Sequence, residues 1–349
     1  MRIVIADKQF KRLGVIENAE VIWATRYYKT GDFELYVSKI GENLDYILNG
    51  YYVIRDDIEE DNVGVIEGIS IHTTPTQGDM ITVTGRLAEG YFLNSRVISQ
   101  QTQLYGNVQD GIINLVSSNL INPSDENRKI DFITLGELDT SITEKLEMQI
   151  TGDNLLTKIE EICEEKKIGF RFIFDENKFY FKTYKGIDRS YSQKINPSVV
   201  FTDEYDNLEE CQYVKNTSEI KNFAYVAGEG EGLDRKIVEA YSTSEAPIGQ
   251  DRFEIWVDQR NVSSNNEDIT EAELTSQMEE EGLENLVGIS EAFDGNIKLT
   301  GYEYRKDFNL GDIVQIFKKS WGLGISMRII ECIESINNTG KSIVLTFGI

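Results

Sequence analysis

A pattern written twice constrains this chain more than any other feature. Residues 65–84 read VIEGISIHTTPTQGDMITVT, and residues 329–346 read IIECIESINNTGKSIVLT. Both run apolar-Ile-Glu-x-Ile, then a polar loop ending in Gly, then x-x-Ile-x-apolar-Thr; the loops differ by two residues. Alternation of side-chain type across Met80–Thr84 is what a half-buried strand requires, and it sets Val83, like Leu345 in the second copy, on a core face. The apolar segments Val53-Ile54 and Val314/Ile316 precede the two copies. Two readings fit. Any two antiparallel hairpins share such a pattern, or the chain holds two related β-domains, one near each end, with mixed α/β insertions between and beside them. Internal repetition is weighed before short motifs.

The surrounding sequence fills in that frame. Ile3-Val4-Ile5, Ala19–Tyr28, Phe33–Val37, Tyr51–Arg55, Gly64–Ile71 and Met80–Thr84 read as strands, and Lys29-Thr30-Gly31-Asp32 as a turn between two of them. Asn107–Leu120 places Val108, Ile112, Leu115, Val116 and Leu120 on one helical stripe. A second helix fits Asp153–Lys167, capped by Asp153 or Asn154 and closed by Lys166-Lys167 against its dipole. Phe170–Phe174 and Lys178–Tyr184, joined by Asp175-Glu176-Asn177, predict a hairpin. Strands follow at Glu219–Ala227, Lys236–Ser242 and Arg252–Val257. Thr270-Glu271-Ala272-Glu273 has capping-box spacing and predicts a helix from about Glu271 to Asn285. Asn296–Tyr304, Asp312–Phe317, Ile325–Ile336 and Ser342–Phe347 close the chain as strands.

Composition removes several function classes. With 349 residues the chain predicts two or three domains. A chain of this size buries roughly three quarters of its surface and needs no disulfide or metal staple. Its 40% hydrophobic and 10% aromatic content is globular, and its four prolines exclude a Pro-rich stalk. A net charge of −25 repels phosphate backbones and argues against tight duplex binding through a basic face. No stretch approaches the ~18 apolar residues of a membrane span. In MRIVIADKQF the apolar run is broken by Asp7 and Lys8, so no signal peptide is expected. Cys163, Cys211 and Cys332 are odd in number and far apart, which suits a reducing cytosol and buried thiols.

Candidate chemistry is thin. Gly228-Glu229-Gly230-Glu231-Gly232 lacks the Lys-Ser/Thr of a phosphate loop, and its glutamates would repel phosphate; a flexible or left-handed loop is the simpler reading. Any Ser-His or Cys-His pair would have to use His72, the single histidine, and nothing near it marks a nucleophile elbow. Metal sites built from His or closely spaced Cys are missing from the pattern. Asp56-Asp57, Glu59-Glu60-Asp61, Asp203-Glu204, Glu209-Glu210 and Glu279-Glu280-Glu281 read as solvated loops or helix faces, without EF-hand spacing. The aromatics fall inside strands, where cross-strand packing explains them. No catalytic, cofactor-binding or metal-ligating residue is assigned, and no cofactor is expected.

Trp23-x3-Tyr27-x3-Gly31-x-Phe33-Glu34-Leu35 resembles the N-terminal signature of phage tail-hub proteins of the long-tailed phage type, also known as tail-associated lysin N-terminal domains or prophage endopeptidase tail proteins. Gly64–Ile69, Ile81–Arg86, Val226–Gly232 with Asp234-Arg235, Asp307–Val314 and Thr346-Phe347-Gly348 agree in order, so the resemblance spans almost the whole chain. It implies an α+β, β-rich, multidomain hub architecture like that of contractile-tail baseplates, with two tube-like β-barrel domains plus two smaller mixed α/β domains. The expected first barrel is residues 1–105 with about 190–227, and a mixed α/β insertion covers 106–189. The expected second barrel is 228–262 with about 296–349, and a small helical insertion covers 263–295.

The resemblance further implies a homotrimer whose six barrels mimic sixfold symmetry. That ring would join the hexameric tail tube and distal tail protein to a tail fibre or tip protein. DNA would pass only transiently through the lumen, whose Asp and Glu lining would keep it from sticking. The location implied is the virion tail, assembled in the bacterial host cytoplasm, with no membrane insertion by this chain. Many such relatives continue into a peptidoglycan-cleaving or fibre region, whereas this sequence ends at Ile349 just after the last expected strand, so no enzymatic activity is carried over. The alternatives are a peptidoglycan hydrolase of the tail tip using paired carboxylates, and a β-rich adhesin or carbohydrate-binding module.

Overall fold

Both copies of the repeated pattern fold as antiparallel hairpins. The computed structural model describes residues 2–17, 19–38, 44–75, 78–230, 235–259, 270–298, 301–337 and 340–348. These divide into a larger unit, Met1–Gln212 with Phe293–Gly348, and a smaller one, Tyr213–Ala292. In the larger unit Gly68–Thr74 pairs with Gly78–Arg86, and Leu323–Asn337 with Gly340–Gly348. A third hairpin, Glu20–Arg26 with Asp32–Ser38, stands between them and pairs with one strand of each. The core face repeats as well: Ile81 and Val83 are buried in one copy, Ile343 and Leu345 in the other. Gly68 faces Thr84, but Glu331, not Cys332, faces Thr346; the one-residue offset sits beside a register irregularity between Ile329 and Glu331.

The segments before the two hairpins diverge. Tyr52–Arg55 joins a separate four-stranded sheet with Arg12–Ile16, Ile3–Ala6 and Val63–Val65. Ile313–Lys318 instead pairs directly with Leu323–Asn337 and runs parallel to Val200–Thr202. The single strand expected over Gly64–Ile71 is therefore two. Val63–Val65 serves the small sheet, the chain turns at Ile66-Glu67, and Gly68–Thr74 serves the large one. Glycines permit the switch: a Cβ at Gly64 would lie 2.3 Å from the Phe33 ring, and one at Gly68 2.5 Å from the Thr84 hydroxyl. The large sheet has ten strands: its main path runs from Leu208–Asn216 to Gly68–Thr74, and a side branch through Ile313–Lys318 ends at Val200–Thr202. Among the described residues the sheets are open, and none closes into the barrels that the resemblance implies.

The expected helical stripe is realised as Val108–Val116, with Val108, Ile112, Leu115, Val116 and Leu120 fully buried. It passes into one π-helical turn, Ser117–Ile121. The next helix is Leu155–Lys166, and of its two candidate caps Asn154 is used: its side chain accepts from the Thr157 amide. Gly169–Asp175 and Lys178–Tyr184 form the expected hairpin, with Glu176 and Asn177 at φ 46° and 61°, which matches the twist of paired strands. Phe170, Phe172, Phe179 and Phe181 project from it into the core around these helices. Helix Ala88–Asn94 and the strand pair Thr102–Asn107 with Lys145–Ile150 complete this region without a clear sequence signal.

The smaller unit carries a three-stranded sheet ordered Ile237–Ala240, Phe223–Ala227, Glu254–Asp258. The helix Glu271–Glu284 packs on one face of it. Thr270 and Glu273 form the expected reciprocal capping box. The strand expected at Asn296–Tyr304 includes residues 299–300, which lie outside the described ones; the described strand here is Ser290–Ile297. Its alternation is carried by Phe293, Gly295 and Ile297, and the polar positions between them hid the period.

Candidate functional site

The motif residues are consumed by packing. Trp23 is fully buried, donates from its indole N–H to the Asp61 carbonyl at 2.9 Å, and stacks on Phe33 at 5.3 Å. A Cβ at Gly31 would lie 2.2 Å from the Ala24 carbonyl, so only glycine fits that turn. The Tyr27 hydroxyl accepts from the Gly186 amide at 3.0 Å and donates to the Lys167 carbonyl at 3.2 Å. Gly311, at φ 92°, presents its Cα to the same ring: a Cβ there would approach Tyr27 to 2.3 Å. Motifs from opposite ends of the chain thus meet on one tyrosine. Asp312 finishes the junction, accepting from the amides of Ile187 (2.7 Å) and Asn309 (2.9 Å) and from Arg189 Nε (2.8 Å).

Beside this junction lies a buried ionic network that the sequence pattern did not announce. Arg55, fully buried, binds Asp57 with two bonds of 3.0 and 2.8 Å and Glu334 with one of 2.7 Å, and lies 5.5 Å over the Trp23 ring. Arg305 reaches the same Glu334 oxygen at 2.9 Å, and Lys341 pairs with the other. Burial opposes the Glu334 charge, but Arg305 and Arg55 outweigh it and hold the carboxyl at about 2. Glu60 pairs with Arg171 and, at 3.2 Å, with Lys182; Asp61 lies 3.7 Å from Arg171. Asp57, Glu60 and Asp61 are therefore partners of buried or half-buried cations, not the solvated loop their spacing suggests. The missed signal was Arg55 and Arg171, each set inside an apolar strand where a charge needs a partner.

One further acid is buried in the same unit. Glu89, in the first turn of Ala88–Asn94, accepts from the Thr30 hydroxyl at 3.4 Å. Burial, reinforced by the Asp61 charge, pushes its carboxyl up to about 8. The paired glutamates of the repeated pattern have matching roles: Glu67 binds Arg86 Nε at 2.8 Å and Glu331 binds Arg26 Nε at 2.6 Å.

The remaining singled-out residues are not brought together. His72 is exposed on the edge strand Gly68–Thr74. Cys163 and Cys332 are buried and free, and burial pushes the Cys332 thiol up to about 12. At the glycine-rich segment, Gly228 is packed against Met278 and its carbonyl accepts from Arg235 Nε at 2.9 Å; residues 231–234 lie outside the described ones. Among the described residues no cluster of three His, Cys, Asp or Glu could hold a metal, and no helix is long and apolar enough to cross a membrane. What the arrangement does chemically is lock its acids into ion pairs and hydrogen bonds that tie distant segments together.

Comparisons with known proteins agree with that geometry. A family model described as Siphovirus ReqiPepy6 Gp37-like protein matches residues 2–349. No curated protein matches the chain. Among solved structures, a tail protein from Neisseria meningitidis MC58 aligns with a TM-score of 0.60 at 13% identity, covering 99% of this chain and 96% of that one. The 43 kDa tail protein of prophage MuSo2 from Shewanella oneidensis aligns at 0.59 and 12% identity, covering 99% and 98%. The prophage tail protein gp18 from Listeria monocytogenes EGD-e aligns at 0.56 and 14% identity, covering 99% and 94%. At these identities the likeness is one of fold.

Proposed function

The chain belongs to the Siphovirus ReqiPepy6 Gp37-like protein family, and from that premise we propose that it is a non-catalytic hub of a phage or prophage tail. In this reading three copies form a ring that joins the hexameric tail tube and distal tail protein to the tail tip, and DNA passes through its lumen during ejection. The observation that carries the reading is the end-to-end match: the family model covers residues 2–349, and two prophage tail proteins share the fold over 99% of the chain. The open sheets support it. Each copy holds two hairpins with the same core face, so three copies offer six similar elements to a sixfold tube, and neighbouring copies would complete the tube-like walls. With 60 acidic against 35 basic residues, a carboxylate-lined bore would repel rather than retain DNA. The motif residues bury and pair instead of offering a nucleophile or a free base, which supports the non-catalytic role. Ring assembly belongs to the host cytoplasm, before the tail is complete.

Analytical ultracentrifugation at micromolar concentration, alone and with distal tail protein, tests this. A trimer that binds distal tail protein is expected. A strict monomer that fails to bind it overturns the proposal, and so does clearing of Gram-positive walls in zymography that is lost on mutating one Asp/Glu pair.

A further inference from the structure

In so acidic a chain a half-buried arginine normally finds a carboxylate. Arg26, Arg86, Arg189, Arg235, Arg252 and Arg305 each bind one, and Arg328 lies 5.5 Å over the Tyr27 ring. Arg96 and Arg128 of the larger unit break this rule together. Both are half-buried, and among the described residues neither forms an ion pair. Arg96 donates from Nε (3.3 Å) and Nη2 (2.8 Å) to the Arg128 carbonyl, and from Nη1 to the Ser95 carbonyl and hydroxyl (3.2 and 3.0 Å). Arg128 donates from Nη1 to the Ser99 hydroxyl (2.7 Å) and from Nη2 to the Val97 carbonyl (2.7 Å) and the Asn119 side-chain carbonyl (2.9 Å). Every one of these acceptors is neutral.

The acids nearest in sequence are engaged elsewhere. Asp125 accepts from the Asn127 amide and side chain, Asp131 pairs with Lys129, and Asp153 pairs with Lys158; exposed Glu126 reaches neither arginine. Burial, reinforced by the Arg128 charge, lowers the pKa of Arg96, so the two cations oppose each other without an anion between them. Donors are left over as well. A guanidinium has five N–H groups. After the bonds above, an N–H remains on Arg96 Nη2, and on Arg128 the Nε–H and one Nη1–H remain. The Ser99 hydroxyl accepts from Arg128 and keeps its own proton to donate. Beside it Gln100 donates to the Ser124 hydroxyl at 3.0 Å, which likewise keeps its proton. Ser99, Gln100 and Ser124 are exposed, so this patch of donors faces solvent.

We propose that Arg96 and Arg128, with the Ser99 and Ser124 hydroxyls, form a binding site for a terminal phosphate group, either the free ion or a monoester. Two positive charges and several donors match a group that carries nearly two negative charges and at least three acceptor oxygens. A carboxylate brings one charge and two oxygens and leaves one cation without a partner. A nucleic-acid backbone brings one charge per phosphate and needs a run of basic contacts, which a chain of net charge −25 does not offer here. The site does not depend on the trimeric reading above.

The test is phosphorus NMR of inorganic phosphate and of glycerol 3-phosphate titrated with the full chain at fixed ionic strength. Saturable line broadening is expected for inorganic phosphate; broadening of glycerol 3-phosphate too extends the site to monoesters, and its lack confines the site to the free ion. Arg128→Gln should weaken binding roughly tenfold or more. Because Arg128 also ties Val97 and Asn119 in place, Ser99→Ala serves as the second variant: it keeps both arginines, should melt like wild type, and should weaken binding about threefold. Four results overturn the proposal: no saturable broadening, broadening unchanged in both variants, displacement of phosphate by acetate at equal concentration, or tighter binding of a short thymidine oligonucleotide lacking a terminal phosphate.

Discussion

The two units hold themselves together by different means. The larger buries its biggest aromatic side chains, Trp23, Tyr27, Phe179, Phe201 and Phe347 among them, and threads a charged network through segments from both ends of the chain. Among the described residues the smaller packs the α-helix Glu271–Glu284 on one face of a three-stranded sheet, and its core is Ala224, Val226, Val238, Ala240, Val257, Leu274 and Met278. Its other face leaves Trp256 54% exposed, and Arg252 lies 3.4 Å from the Phe223 ring centroid while donating to the Tyr225 hydroxyl at 2.6 Å. A two-layer unit with small core residues removes less apolar surface from water per ordered residue. The larger unit is therefore expected to dominate the stability of the chain, and the smaller to open first.

The largest effects should come from charges placed on the repeated core face. Val83→Asp and Leu345→Asp each insert an unpartnered carboxylate where exposure is nil, at a cost of about 5 kcal/mol or more. Thermal melts should show both collapsing the larger unit to a similar degree. Wild-type melting in one and not the other would break the equivalence of the two hairpins.

Glu334→Ala comes next. It leaves Arg55 and Arg305 buried without their shared carboxylate, and about 3–5 kcal/mol should be lost in urea unfolding. Its pH dependence has a definite sign. The folded value of about 2 lies below the ordinary 4.5, so its stabilisation is present above pH 4.5 and is lost as pH falls toward 2. Glu89 runs the other way. Its folded value of about 8 lies above 4.5, so stability is full below 4.5 and is lost as pH rises through 8. Glu89→Gln should therefore melt higher than wild type at pH 9 and about equally at pH 4. A flat comparison across that range would mean the carboxyl is not desolvated.

What could be read in advance follows period and punctuation. The repeated hairpins, the stripe Val108–Leu120, the Asn154 cap and the Thr270/Glu273 box are local patterns, and local patterns survive in one dimension. The pairing of Glu20–Arg26 with Leu323–Asn337 has no such trace, because nothing local links residues some three hundred positions apart. The charged network was hidden for the same reason. Asp57, Glu60 and Asp61 look like any acidic loop until Arg55 and Arg171 are seen to be buried. The Ile66-Glu67 break was masked because Gly64–Ile71 is apolar enough for one strand, and only the two sheets divide it.

Gly282 moves the comparison to the smaller unit. A Cβ there would lie 2.5 Å from that of Ala240 and 2.7 Å from Val226, so Gly282→Ala overpacks the helix against the sheet and should cost about 1–3 kcal/mol. Hydrogen exchange should accelerate within Phe223–Ala227 and Ile237–Ala240 and stay unchanged in Glu20–Arg26. Equal acceleration in both places would mean the two units unfold as one.

The smallest effect sharpens the same point. The Thr270 hydroxyl accepts from the Glu273 amide at 3.3 Å, and the Glu273 carboxylate accepts from the Thr270 amide at 2.8 Å. Thr270→Ala removes one half of that exchange and should cost about 1 kcal/mol. In a cooperative molecule so small a loss would spread over every protected amide. In a chain whose smaller unit opens independently it falls on the helix and its three strands alone, roughly a fivefold rise in exchange there. The melting of the larger unit should hold at its wild-type temperature, since the helix belongs to the smaller unit.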